Sequence, residues 1–124
     1  GLPASVDELR THRLIGNSGN AVLNQWRLGL GNRAQELSVR GHTRTDNTAV
    51  VLSLVRAGVG IGRVIDLVAE PLVASGELLP VLPALGPSEP LPVYAVMLQE
   101  RHRLPKVRAR IEHWAAWFQA SGRA

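Results

Sequence analysis

The chain has no cysteine, few aromatic residues and no long apolar run. Without cysteine, disulfides and thiolate metal sites are excluded, and a reducing cytosol is compatible with the chain. Aromatic residues make up 4% of the 124 positions, so the core has to be built from valine, leucine, isoleucine and alanine. No apolar stretch approaches the ~20 residues needed to cross a bilayer. The first residues, GLPASVDELR, lack a charged region followed by an apolar one and do not read as a signal peptide. Lysine is nearly missing as well, since Lys106 alone stands among 14 cationic residues. With 10 acidic residues the net charge is +4. That balance permits nucleic-acid binding, but no groove-reading motif accompanies it.

The length fits one domain on the usual prior of ~100–200 residues, enough to bury a core without covalent staples. The clearest signal runs from Asp46 to Leu82. It reads as helix, glycine stop, buried strand, broken helix, glycine stop and strand, the order expected of a parallel α/β layer. Asp46 or Thr45 is placed to cap the first helix, whose residues Ala49–Val55 are apolar almost all round and predict burial on most sides. Gly58 stands where a left-handed residue ends a helix. Val59–Ile65 then reads as a short buried strand, and Asp66 as the cap of a new helical turn. Pro71, with no N–H to donate, is expected to open a second short helix ending at Gly76. Leu78–Leu82 reads as a strand.

Before that stretch, Ser5 and Glu8 form a capping box for a short helix ending near His12. Arg13–Ile15 is a candidate strand, followed by the polar loop Gly16–Asn20. Gln25–Leu30 and Glu36–Arg40 flank the turn-rich Gly31–Arg33 and predict an antiparallel hairpin, with Leu37 and Val39 on its buried face. After it, the prolines at 83, 87, 90 and 92 mark a rigid irregular loop. Val93–Leu98 reads as a strand. Pro105 suits the first turn of a last helix, on which Leu104, Val107, Ile111, Trp114 and Phe118 make an amphipathic stripe.

No residue set advertises catalysis. The histidines at 12, 42, 102 and 113 form no ligand pair and read as surface or capping groups. No G-x-S-x-G elbow is present, and Ser53 and Ser75 read as structural. Gly58-Val59-Gly60-Ile61-Gly62 looks like a phosphate loop, but it follows a helix instead of opening one. It reads as tight helix–strand packing, compatible with close approach by a ligand. Thr43–Thr48 is the richest polar cluster. It sits where a strand gives way to a helix, whose free N–H groups attract anions. Asn17–Asn20, after an earlier strand, forms a second polar loop of the same kind. Ligands of open α/β sheets gather beyond the C-terminal strand ends, so the two loops together make a candidate wall. The run Arg101, Arg103, Lys106, Arg108 and Arg110 carries no acid and reads as a solvated face. Its cations crowd a helix N-terminus, the unfavourable end of the dipole.

These residues, in this order, resemble the C-terminal part of the effector-binding region of LysR-type transcriptional regulators. Pro3 with Val6–Leu9 and His12 resembles the start of that family's second effector subdomain. Trp26–Leu28 and Leu37–Val39 resemble its paired strands. Asp46-Asn47 resembles the polar pair before its buried helix, and Ala57–Gly62 its glycine core. Gly76–Leu78 with Val81-Leu82, Val93–Val96 and Leu104–Arg108 resemble its later strands and closing helix. Val64-Ile65 stands where a proline is common, and Ile111–Trp114 replaces a phenylalanine and small acidic turn.

The resemblance implies an α/β fold with a mixed, mostly parallel sheet and flanking helices, like one lobe of a type 2 periplasmic-binding-protein fold. Residues 1–100 would be the second effector subdomain. Residues 101–124 would be the helix that in the family packs on the first subdomain, which this chain does not carry. The function implied is non-enzymatic and cytoplasmic, without cofactor or membrane. A small effector, an organic acid by its basic surroundings, would bind between two lobes and modulate transcription. DNA would be held only through an absent N-terminal domain, and the helix stripe predicts docking on another copy, as a homodimer or larger, or on the chain's own sheet. The expected effector wall is Asn17, Ser18, Thr45, Asp46, Asn47, Ile61, Gly62 and Arg63, with no metal. A lobe of a transport-type solute-binding protein and a small α/β enzyme are the alternatives.

Overall fold

The computed structural model describes residues 1–85, 94–98 and 104–121. It divides into two compact units, Gly1–Glu89 and Pro90–Ala124.

The first unit begins with α1 (Val6–Leu9), a single turn held by its cap. The Glu8 N–H donates to Ser5 Oγ at 3.1 Å, and the Glu8 carboxylate accepts from the Ala4 N–H at 2.7 Å. The box therefore closes as the sequence predicts, with its return bond one residue earlier than usual. Val6 and Leu9 point inward, and Leu9 is 2% exposed. The chain then runs through Arg13–Ile15 into β1 (Gly16–Asn17). β1 pairs in parallel with β4 (Arg44–Thr45), in the register Gly16 with Arg44 and Asn17 with Thr45. On the other side Leu14 bridges Ile61, also in parallel. The bonds Ile61 N–H to Arg13 C=O and Ile15 N–H to Ile61 C=O hold that edge at 2.8 and 2.9 Å. Segment 13–17 is thus the middle of a three-segment parallel layer.

The hairpin forms as expected. β2 (Gln25–Leu28) and β3 (Gln35–Ser38) are antiparallel, with Trp26 opposite Leu37. Both are buried, as is Val39. The core cluster joins Val6, Leu9, Leu14, Trp26, Leu37 and Val39, with Ile61, Val81, Leu82 and Leu85 packed against it. Burying each large apolar side chain stabilises the fold by ~1.5–3 kcal/mol. An aromatic residue, Trp26, therefore stands in a core that composition alone assigned to aliphatics.

α2 (Thr48–Arg56) starts at Asn47, whose side-chain oxygen accepts from the Ala49 and Val50 N–H groups. The cap is Asn47, one residue after the expected Asp46. The helix is also less covered than its composition implies: Val51 is buried, but Val50 is 43% exposed. It ends at Gly58, φ +74°, where the Val59 N–H reaches back to the Leu54 carbonyl and the Gly58 N–H to Val55. That is a Schellman closure, which favours glycine.

Three expected elements of the first unit differ. Val59–Ile65 forms only the bridge at Ile61, with Gly60 close beside the Arg13 carbonyl. Pro71 lies inside one continuous helix, α3 (Asp66–Ala74), instead of opening a second. Its missing N–H removes a single ladder bond, and the Ser75 N–H still reaches the Pro71 carbonyl at 3.1 Å. Leu78–Leu82 is not a strand, since Pro80 offers no donor to a ladder and Leu82 turns to φ 53°.

In the second unit, residues 94–98 have no regular structure, and Val93 lies outside the described residues, as do Pro87, Pro90 and Pro92. α4 (Pro105–Ala120) has Pro105 in its first turn, as expected. Val107 and Ile111 are half-buried, whereas Trp114 and Trp117 are 54% and 49% exposed. Trp117 and Phe118 meet edge to face at 5.0 Å. His102, Arg101 and Arg103 lie outside the described residues.

Candidate functional site

The parallel pair decides where the polar loops go. Because β1 and β4 run in the same direction and in register, their C-terminal ends deliver Asn17–Asn20 and Thr45–Asn47 to one edge. A further bond joins the loops, from the Ser18 N–H to the Thr45 carbonyl at 3.2 Å. Gly19 lies so close to Asp46 that a side chain on it would come within 3.1 Å of the Asp46 Cβ. Five of the eight expected residues therefore stand together: Asn17, Ser18, Thr45, Asp46 and Asn47.

Their side-chain oxygens have local tasks. Asn17 Oδ1 accepts from the Gly19 and Asn20 N–H groups at 2.8 and 2.7 Å, which folds the loop back on itself. Thr45 Oγ1 accepts from the Asn47 N–H at 3.2 Å. Asn47 Oδ1 accepts from the Ala49 N–H at 2.8 Å and from Val50 at 3.3 Å. The start of α2 is thus occupied by its own cap, and the bare helix end anticipated as an anion site is not available in that form.

Sequence reasoning passed over Asn24. Its Oδ1 accepts from the Asn17 N–H at 2.6 Å, and its Nδ2 donates to the Asn17 carbonyl at 2.9 Å. This two-point clamp continues β1 where no strand is available to pair with it. A side chain on Gly16 would press within 3.0 Å of Asn24 Oδ1. The signal, an asparagine just before a strand, is too common to single out without the pairing.

Ile61, Gly62 and Arg63 follow the third segment. Ile61 packs on the core. Gly62 is packed against α2: a Cβ there would lie 2.7 Å from Val51 Cγ1 and 2.9 Å from Val55 Cγ2. A side chain at Gly60 would meet the Arg13 carbonyl oxygen at 2.4 Å. Both glycines are small because protein fills the space beside them. Arg63 is exposed, and the parallel direction carries it beyond Ile61 toward the same edge as Asn17. Arg63 has no ion pair among the described residues.

A cavity of about 550 Å³ opens at the opposite edge of the layer, and none of the eight residues lines it. Among the described residues, no three His, Asp or Glu side chains group as a metal site, and no helix is long and apolar enough to cross a membrane.

Comparison with known proteins places this architecture. The transcriptional activator TtdR of Escherichia coli K12 is 30% identical over 118 residues, which are 94% of this chain and 37% of TtdR. The chain thus spans little more than a third of that relative's length. The regulatory domain of CrgA, a LysR-type regulator from Neisseria meningitidis, superposes with a TM-score of 0.81 at 24% identity, over 91% of this chain and 55% of that one. The regulatory domain of AphB from Vibrio vulnificus matches at 25% identity with a TM-score of 0.56, over 66% of this chain and 40% of its own. TtdR is a transcriptional activator and CrgA a transcriptional regulator. The family model of the LysR substrate binding domain matches residues 1–119. The chain belongs to the LysR substrate-binding domain family.

Proposed function

We propose that the C-terminal edge of the β1–β4 layer is one wall of an effector site, and that the effector is an organic acid. The observation that carries this is the kind of polar group left over at the edge. Asn17, Thr45 and Asn47 each use a side-chain oxygen on a backbone N–H. What remains without a partner among the described residues is their donors: two amide Nδ2 groups and the Thr45 hydroxyl proton. The Ser18 hydroxyl and the Arg63 guanidinium add two more donors. A surface whose acceptors are used internally and whose donors face outward suits a ligand rich in acceptors. Asp46 is the exception, and it suits a hydroxyl or ammonium group on the same ligand.

In this reading residues 1–100 form the second effector subdomain. Residues 101–124 form the helix that docks on a first subdomain or on another copy. The mechanism is a shift of population. An acid that binds one interlobe geometry better changes the oligomer's hold on DNA through a DNA-binding domain outside this chain, in the cytoplasm. The half-exposed Trp114 and Trp117 support self-association as a homodimer or larger. Sedimentation of the chain at ~100 μM tests that point, and a strict monomer contradicts it. The gene tests the regulator itself. An in-frame helix-turn-helix upstream of Gly1 is the expected finding, and a secretory signal there would overturn the reading.

A further inference from the structure

The edge of the parallel layer opposite the proposed effector wall carries its own concave site. Here the turn after α1, the start of segment 13–17, the end of β3, the loop leading to β4 and Val59 surround a cavity of about 550 Å³. That is within the ~300–1,000 Å³ range of small-molecule sites. Leu14, Leu37 and Val59 form its floor. Its rim carries three arginines, Arg10, Arg13 and Arg40, beside His12 and His42, and no carboxylate among the described residues lines it.

Three features set this rim apart from a scatter of surface arginines. The cations arrive from separate segments and converge on one hollow. Of the acids near α1, Glu8 binds the Ala4 N–H, and Asp7 meets Arg10 at 3.6 Å, so Arg10 is partly compensated. Arg13 and Arg40 have no ion pair or side-chain hydrogen bond among the described residues. Finally, the backbone behind them is fixed. Gly41 lies against Leu14 so closely that a Cβ would be 2.4 Å from its carbonyl oxygen, and Gly60 lies equally close to Arg13. Arg10 is tied to β3 by a bond from Nη2 to the Glu36 carbonyl at 3.1 Å. Like charges held together by a rigid backbone repel one another. Focusing them in a concavity raises the local concentration of anions.

We propose that this cavity is a second binding site, separate from the effector wall, for a small multivalent oxyanion. Its ligand is a phosphate or a polycarboxylate, bridged between Arg13 and Arg40 with Arg10 completing the rim. The hollow lies between the turn after α1 and the end of β3. Two arginine forks facing one hollow favour a ligand with two or more charged oxygens over a monovalent ion.

The test is titration of the full chain with inorganic phosphate and, separately, with citrate, each against sodium chloride at matched ionic strength. Backbone amide shifts report the site. The expected result is saturable movement of the Arg13, Gly41 and His42 amides with at least one of the two anions and not with chloride. The double variant R13Q/R40Q removes two charged partners and is expected to weaken that binding at least tenfold. R33Q, at an exposed arginine outside the cavity lining, is expected to leave it unchanged. Both arginines are exposed, so the unliganded variant is expected to melt within about 2 °C of the parent. Movement no greater than with chloride would overturn the proposal. So would wild-type affinity in R13Q/R40Q, or loss of binding in R33Q. None of these outcomes bears on the effector wall, which has its own test.

Discussion

Replacing Gly62 by alanine separates packing from ligand access as the reason for a glycine there. The new Cβ would lie 2.7 Å from Val51 Cγ1 and 2.9 Å from Val55 Cγ2, well inside van der Waals contact. Neither methyl can swing away cheaply, because a valine in a helix is held largely to one rotamer. Val51 is also buried, at 9% exposed. Relief must therefore come from moving α2 off the layer or straining a side chain. Overpacking of this kind costs ~1–3 kcal/mol. In a unit of this size each kcal/mol lowers the melting temperature by ~4–8 °C, so the expected drop is roughly 5–20 °C by circular dichroism. Adding Val55→Ala removes one of the clashing methyls. The double variant should recover part of the loss, with a coupling energy of ~0.5–3 kcal/mol. A Gly62→Ala protein that melts like the parent would refute the reasoning. If that protein also lost effector binding, the glycine would be kept small for the ligand.

Asn24→Ala strips the clamp from the half-buried Asn17 backbone, leaving its N–H and carbonyl without partners. Urea unfolding should show a loss of ~1–3 kcal/mol, whereas an ordinary surface asparagine would show almost none. Asn47→Ala removes the cap of α2 and should cost ~1 kcal/mol in the same assay. Asn47→Asp, which keeps an accepting oxygen at the helix start, should melt within about 2 °C of the parent.

Much of this was legible in the residues, for physical reasons that can be named. The capping box at Ser5 and Glu8, the hairpin with Leu37 and Val39 inward, and the helix stop at Gly58 each depend on neighbours a few positions away. Local sequence is enough to specify them. The two polar loops were legible as candidates because a parallel layer sends its strand ends to one edge. What the sequence hid was set by long-range contacts. Val59–Ile65 looks like a strand by composition, but it makes only one bridge, and its Gly60 and Gly62 are packed against Arg13 and α2. Pro71 looks like a helix start, but the lost ladder bond does not outweigh continuity from Asp66 to Ala74. Asn24 was invisible because its clamp joins residues that local pattern does not relate. The cap of α2 was expected at Asp46 or Thr45. It falls instead on Asn47, whose side-chain oxygen accepts from the Ala49 N–H.

The effector wall is the central claim, and one screen tests it most directly. A panel of small organic acids is added to the full-length regulator, and the melting temperature is followed for the parent and for Ser18→Ala/Arg63→Gln. Both residues are exposed, and neither makes a side-chain hydrogen bond among the described residues, so the double variant should be as stable as the parent without ligand. An acid present at 100 times its dissociation constant stabilises by ~2.7 kcal/mol, enough to move the midpoint by several degrees. The expected result is that at least one acid raises the midpoint of the parent and that the double variant loses most of that rise. A rise that survives intact in the double variant, or no rise with any acid, would contradict the placement of the effector at the C-terminal edge of the β1–β4 layer.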